Sequence, residues 1–518
     1  MDNLGEANKK ESVYDLNKLK EKSLIWIKQP FNAAFVALII FTITLRLYYF
    51  ILTQNQALWW DEADYMMMAK HWAFGYYYEF APVRPILFSF IAYIFLKIAN
   101  NEFLPRLFLE VLSVFSVVGV YYLGKELYDK KVGLIAGLFM SAFFLNIFFS
   151  QRLLNDLISL TFFVCSAYFF YKYLNSNSNK ALYIAAFLTG IGTVFRINTA
   201  FILIVFGIYL LFTEKLRFIK KREIWISAGI FILTILPYIL WGYYKFGGFV
   251  IAMAGTYNAA KTNYISTGLT VLKTYILDFP RFVLSIDYIP TNTSLIWIVT
   301  FGFLAVLSII YIINFLLRAD LVLKENKKSP ELYVILLFLV PLILTSFSIA
   351  HNEDRYVLNS FSGFFIILAS FLMYLHSKVV KKGKYLALAL VIIILGAFVY
   401  VQIQAGYNLT MGKYSSYSQV KDAGIWIKQN SKESDLIISN SALQLQYYAD
   451  RRTLFFNATE ENYLGQIKEQ KPKYLVVTGF ETIPEWVKTY PERNNLSLAN
   501  VIYMDKTQNN PIVIIYRA

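Results

Sequence analysis

The sequence predicts an α-helical polytopic membrane protein. It has about 11 transmembrane helices, additional juxtamembrane helices and a small C-terminal α/β domain outside the membrane. Three observations carry this. Hydrophobic residues make up 57% of the 518 and charged residues 16%, with a mean hydropathy of +0.48; soluble domains average about 45–50% and about 25%. Apolar runs of spanning length recur along the chain as far as residue 405. Beyond 406 the composition changes to short β-branched strands between polar stretches.

The first run, 31–52, follows a charged segment, 1–30. It is too long for the core of a cleavable signal and long enough to span. Further runs lie at 105–124, 132–149, 157–174, 181–195, 197–213, 224–244, 293–317, 332–350, 356–376 and 385–405. The apolar stretch Pro85–Ile98 is short of the roughly 20 residues that a span needs and reads as a juxtamembrane helix. With that reading and a cytoplasmic N-terminus, the cytoplasmic loops 1–31, 125–131, 172–180, 214–223, 318–328 and 377–384 hold 24 Lys and Arg, and the outer segments hold 10. Counting 85–98 as a span would put 18 of those 24 outside, against the positive-inside rule. Most of the net charge of +15 is therefore an orientation signal rather than a sign of a nucleic-acid partner.

The composition also excludes disorder. A disulfide framework is excluded because Cys165 is the single cysteine and lies in an apolar run. No internal repeat or low-complexity linker is visible. Three domains follow: a cytoplasmic segment 1–30, a membrane domain 31–405 and an extracytoplasmic domain 406–518. In the last, strands are predicted at Asp435–Asn440, Lys473–Gly479, Ala499–Met504 and Pro511–Arg517, with helices at Gln419–Gln429 and Glu460–Glu469. Asn408, Asn457 and Asn495 are sequons, a pattern common by chance.

Polar residues beside lipid are costly and mark candidate sites. Trp59-Trp60-Asp61-Glu62-Ala63-Asp64-Tyr65 follows the first span. The segment after it spaces Tyr65, Met68, Ala69, Trp72 and Tyr76 as an amphipathic helix lying on the membrane. Asp61 reads either as that helix's cap or as a general base for a hydroxyl acceptor. Arg84, before Pro85, is either a snorkelling arginine or a phosphate ligand. At Gln151-Arg152-Leu153-Leu154-Asn155-Asp156, Asp156 is expected to pair with Arg152 four residues earlier or to serve catalysis. Arg196, between two apolar runs, needs an anionic partner. The corner His351-Asn352-Glu353-Asp354-Arg355-Tyr356 offers Arg355 as a phosphate ligand, with His351 either structural or part of the site. Metal ligation is open. The three histidines share no ligand spacing, whereas Asp61 with Glu62 could hold a divalent cation. The topology places all these corners on the outer side, where acids and arginines gather at one membrane surface.

The order of these motifs resembles the GT-C superfamily of polytopic glycosyltransferases, in the branch of protein O-mannosyltransferases and lipid A aminoarabinose transferases. The matching features are Asp61-Glu62 after the first span, Arg84-Pro85 before a short helix, Arg106 through Gly124-Lys125 to Gly133, Asp156, Arg196, and the element His351 to Tyr356. Ile86 stands where a second proline is common, and the tail is short, so subfamily and acceptor are not assigned.

The resemblance implies a sugar donor on polyprenyl phosphate, dolichyl or undecaprenyl, and inverting transfer to a hydroxyl of a glycan, lipid or protein at the outer face of a prokaryotic plasma membrane. It implies catalytic roles for Asp61, Glu62 and Asp156, donor-phosphate binding by Arg84, Arg196 and Arg355, and a site lined by Tyr65, His351, Glu353 and Tyr356. The competing readings are a multi-span transporter or lipid flippase with an outer accessory domain, and a membrane scaffold. A transporter usually shows repeat symmetry and charges near the midplane.

Overall fold

The computed structural model describes residues 21, 25–82, 84–247, 264–288, 311, 317, 329–349, 352–504 and 510–518. Among these, eight helical segments are long and apolar enough to cross a membrane, or nine if one bent pair is a single span. The chain is an integral membrane protein. The run predicted at 293–317 and the candidate His351 lie outside the described residues, apart from Tyr311 and Leu317.

The chain opens with α1 (Pro30–Thr53), α2 (Trp60–Phe74) and α3 (Leu87–Ile98). Helix α3 has 12 residues, about 18 Å of rise against about 30 Å of hydrocarbon, so it stays at one surface. Helix α4 (Phe103–Leu127) and α5 (Lys130–Ala142) form a tight hairpin, capped by Asp129, which accepts the Lys131 and Val132 amides. A Cβ on Gly133 would stand 2.5 Å from the Tyr121 carbonyl oxygen, so glycine there permits the two helices to touch.

The run 132–149 is not one straight span. Helices α5 and α6 (Phe144–Ser150) meet at an extended Phe143 with a 57° bend. The backbone groups freed at the break find side-chain partners. Gln402 accepts the Phe144 amide at 3.1 Å and Asn146 donates to the Met140 carbonyl at 3.0 Å. Backbone inside a membrane protein must be satisfied in this way.

The bundle continues with α7 (Asp156–Ser176), α8 (Asn179–Phe195), a 3-10 turn at Ile197–Ala200, α9 (Phe201–Glu214) and α10 (Arg222–Phe246). The stretch 245–292, read as an outer loop, contains a helix, α11 (Tyr264–Leu284). Its charged and apolar residues alternate at helical spacing, which gives no continuous apolar run to detect. After it come α12 (Pro330–Ser348), α13 (Leu358–Val379) and α14 (Lys384–Gly412). The last helix runs seven residues past 405, so the membrane domain passes into the C-terminal domain without a break in the helix.

The C-terminal domain contains α15 (Ser418–Asn430), β1 (Ile437–Ser439), α16 (Ala442–Ala449), β2 (Thr453–Leu454), α17 (Glu460–Gln470), β3 (Tyr474–Thr478), α18 (Glu485–Arg493), β4 (Leu498–Tyr503) and β5 (Pro511–Arg517). Its sheet has the order β2-β1-β3-β5-β4. The first three strands are parallel, and β5 is antiparallel to both its neighbours. Each face of the sheet has its own apolar cluster, one around Val420, Ile437 and Ile515, the other around Ile438, Tyr463 and Leu475.

The two ends of the bundle differ in character. At one end the basic corners meet: Asn175 bonds Glu126, and Tyr173 bonds Glu223. The other end carries Asp61, Asp156 and Arg355, and there the C-terminal domain sits. Lys421 bonds the Asn55 carbonyl and Gln56 the Lys413 carbonyl.

This placement corrects the reading of α2. Every residue from Glu62 to Lys70 is buried, so it is not an amphipathic helix lying open on a membrane. Its outer face is covered by α16 of the C-terminal domain, a partner far away in sequence. Tyr76 lies outside the helix, which stops at Phe74 with Gly75 in the left-handed conformation.

Candidate active site

Helix α2 presents Asp61 and Asp64 one turn apart on the same face. Between them reaches Arg84, from the segment before α3. Its Nη2 lies 2.7 Å from Asp61 Oδ1 and its Nε 2.5 Å from Asp64 Oδ2. The other Asp61 oxygen takes Arg355 Nη2 at 2.8 Å. Arg355 comes from the 3-10 turn Asp354–Val357 that leads into α13. It also reaches Glu353, at 2.6 Å, and stands 4.0 Å from Asp156. Asp156, the first residue of α7, binds Arg196 through both oxygens at 3.1 and 3.3 Å. Asp64, Arg84, Asp61, Arg355, Asp156 and Arg196 thus form a line of alternating charge drawn from five parts of the chain.

Tyrosines flank this line. Arg84 lies over the Tyr65 ring, and Arg196 and Arg355 lie over Tyr356. The Tyr356 hydroxyl donates to Glu353, the Tyr275 hydroxyl to the Glu353 carbonyl, and the Tyr78 hydroxyl to Asp64 at 2.7 Å. Tyr65, Glu353 and Tyr356, read as lining residues, are therefore gathered here.

Burial and charge act in opposite directions on Asp61. Desolvation alone would raise its carboxyl, but the two guanidiniums outweigh it and hold the pKa down at about 2. Asp64 is raised. It is more deeply buried, and Arg84 with the Tyr78 hydroxyl only partly offsets the desolvation.

Glu62 points elsewhere. Fully buried, it accepts the Trp59 amide at 2.6 Å, the Leu153 amide at 2.7 Å and Arg152 Nη2 at 2.9 Å. It pins the start of α2 to the corner that carries Asp156. Arg152 is thereby taken, and it stacks 3.7 Å from the Trp59 ring. The expected Arg152–Asp156 pair does not form. Arg152 lies in the non-helical corner before α7, where the four-residue helical spacing does not apply. Arg106 ties the same region together, donating to the Gln151 and Gln56 carbonyls, both at 2.8 Å. Among the described residues no three His, Cys, Asp or Glu converge as a metal group, and Asp61 and Glu62 belong to separate ion pairs.

A cleft of about 630 Å³ opens on the charged line. Its walls are largely apolar, with Trp59, Trp60, Phe148, Phe149 and Leu409 among them, and its charged groups are Asp61, Glu353, Asp354, Arg355 and Lys413. Such a cleft suits a molecule with a large apolar part and a polar head.

A family profile described as dolichyl-phosphate-mannose-protein mannosyltransferase matches residues 83–241. A search of curated protein sequences returns no significant match. Among solved structures, ArnT from Cupriavidus metallidurans bound to undecaprenyl phosphate is 10% identical with a TM-score of 0.59; the alignment covers 92% of this chain and 97% of that one. The oligosaccharyltransferase AglB from Archaeoglobus fulgidus, in complex with an inhibitory peptide and a dolichol-phosphate, is 14% identical with a TM-score of 0.57, covering 88% and 70%. The arabinofuranosyltransferase AftD from Mycobacteria is 12% identical with a TM-score of 0.51, covering 94% and 39%. The chain has the GT-C fold.

Within this GT-C fold, nine of the ten residues singled out from sequence as catalytic, phosphate-binding or lining are described. Eight stand along the charged line and Glu62 stands behind it. Sequence reasoning did not assign Asp64, Tyr78 or Tyr275, and it offered Arg152 only as a partner for Asp156. Asp64 had a usable signal, its three-residue spacing from Asp61. The others meet the site only through long-range packing.

Proposed function

We propose that this chain is a membrane glycosyltransferase. It moves one glycosyl unit from a polyprenyl-phosphate-linked sugar to a hydroxyl acceptor, at the extracytoplasmic face and with inversion. The observation that carries this is Asp61 held between Arg84 and Arg355 on the wall of an apolar cleft. The lipid phosphates bound by the ArnT and AglB structures support a donor of that kind.

The arrangement suggests an exchange of partners. In the resting site the arginines neutralise Asp61, and a carboxylate with a pKa of about 2 is a weak base. An incoming phosphate competes for the same guanidiniums. As Arg84 and Arg355 turn to it, Asp61 loses its counter-charges and gains basicity. The acceptor oxygen then attacks the anomeric carbon while its proton passes to Asp61. The bond from that carbon to the phosphate oxygen breaks, and the electron pair leaves on the phosphate, where the arginines stabilise the growing charge. Asp156, paired with Arg196, stands beside Arg355, and Arg196 extends the cationic surface, with Tyr65, Glu353 and Tyr356 around them. The resemblance implies a lining role for His351. Glu62 acts through position, by fixing the first turn of α2.

Asp61→Asn should lower transfer from a polyprenyl-phosphate sugar by about 10²–10⁴-fold, the usual contribution of a general base, while the protein still inserts and elutes as the wild type does. Wild-type turnover in the purified variant would remove Asp61 as the base. Arg84→Ala and Arg355→Ala should each weaken binding of undecaprenyl or dolichyl phosphate by about 1.5–3 kcal/mol, the range for a charge-assisted hydrogen bond. Unchanged affinity in both would move the phosphate elsewhere.

A further inference from the structure

We infer that the C-terminal domain is a working part of the active site: Asp450, acting through Lys70, is a positioning residue that holds α2 and with it Asp61. The inference rests on the function proposed above for Asp61, but its geometry does not. Lys70 lies nine residues after Asp61 on α2, about 13 Å along the same rigid rod. Its ammonium is buried, 2.7 Å from Asp450 Oδ1, 2.7 Å from the Tyr447 carbonyl and 4.1 Å from the centre of the Tyr447 ring. Asp450 is itself almost fully buried. Its second oxygen takes Lys428 of α15 at 2.5 Å. It closes α16 in the left-handed conformation, φ 52°, which short polar side chains tolerate. One carboxylate therefore joins α2, α15 and the end of α16.

The clamp has a second point at the other end of α2. The Leu58 amide, two residues before the helix, donates to the Tyr448 hydroxyl at 2.8 Å, and Trp60 stacks on Phe455, rings 5.2 Å apart. Just past the helix, Gln446 donates to the Tyr77 carbonyl. Helix α16 thus lies along α2 as a splint, fastened at both ends. A general base must stay within hydrogen-bond reach of the proton it takes. Without the splint, α2 would be fixed at its first turn by Glu62 and by Arg84 but free along its outer face.

The test is hydrogen exchange on the full chain in lipid nanodiscs. In Asp450→Asn, α2 amides should exchange at least about tenfold faster than in the wild type, while α7 and α13 keep their protection, as expected for local opening. Asp450→Glu, which keeps the charge, should stay within about threefold of wild type. Tyr448→Phe, which removes only the hydroxyl at the other end, should loosen residues 58–62. The inference is overturned if α2 is unchanged in Asp450→Asn, whatever Tyr448→Phe does, or if α2, α7 and α13 loosen together. Undecaprenyl phosphate added to the wild type keeps the two readings apart. Failure to bind it counts against the proposed donor and leaves the exchange result standing.

Discussion

At the residue scale the site is governed by competition for three arginines. Asp61, Asp64, Asp156 and Glu353 share Arg84, Arg196 and Arg355. A polar network this close to hydrocarbon holds only when its members are paired. The pairing gives Asp61 a definite pH signature. Its carboxyl is depressed in the folded state, so the stability it contributes is present above the ordinary carboxylate pKa and is lost as pH falls towards 2. In catalysis the free enzyme should keep Asp61 ionised well into the acid range. Once a donor phosphate draws the arginines away, the carboxyl should titrate higher. The acid limb of kcat, which reports the bound complex, should therefore lie at higher pH than the acid limb of kcat/KM by about one unit or more. Coincident limbs would mean that the donor leaves the pairing of Asp61 intact. The residues in this network were mostly legible in the sequence, because charge at an apolar boundary is conspicuous. Their partners were not. Arg152 was assigned to Asp156 by spacing, whereas it is held by Glu62, ninety residues earlier.

At the element scale the sequence was most informative where hydropathy alone decides, as in α1, α4, α7, α12 and α13. It was least informative where a partner decides. The break at Phe143 needs Gln402, 258 residues beyond Phe144. The covering of α2 needs α16, whose eight residues carry no strong periodic signal. The hairpin of α4 and α5 depends on absent methyl groups, at Gly133 above all and at Gly124 facing it. Gly133→Ala would press a Cβ against backbone, the Tyr121 carbonyl at 2.5 Å and the Lys125 nitrogen at 2.9 Å. Backbone in a packed helix cannot step aside, so overpacking should cost about 1–3 kcal/mol. Gly229→Ala, in open space on α10, is the control. Thermal unfolding in detergent should be lowered in the first and unchanged or slightly raised in the second, where alanine only favours the helix. Equal behaviour would mean that the hairpin can spread.

For the whole molecule, the two ends have separate tasks. The positive-inside rule makes the basic corners at one end an orientation signal, whereas the ten basic and ten acidic residues of the segments read as outer give no net bias. The C-terminal domain belongs to the second end through its contacts with Asn55, Leu58 and Lys70. If orientation follows the basic corners, this domain and the charged line face outward together, where donors on polyprenyl phosphate and hydroxyl acceptors can meet. The single cysteine makes this measurable. In a Cys165→Ser background, a cysteine at Glu461, exposed on α17, should react with a membrane-impermeant maleimide added to intact cells. A cysteine at Lys381, in the turn between α13 and α14, should react only after the membrane is opened. The reverse pattern would place Asp61 in the cytoplasm. There nucleotide sugars are at hand, and the case for a lipid-linked donor would fall with the orientation.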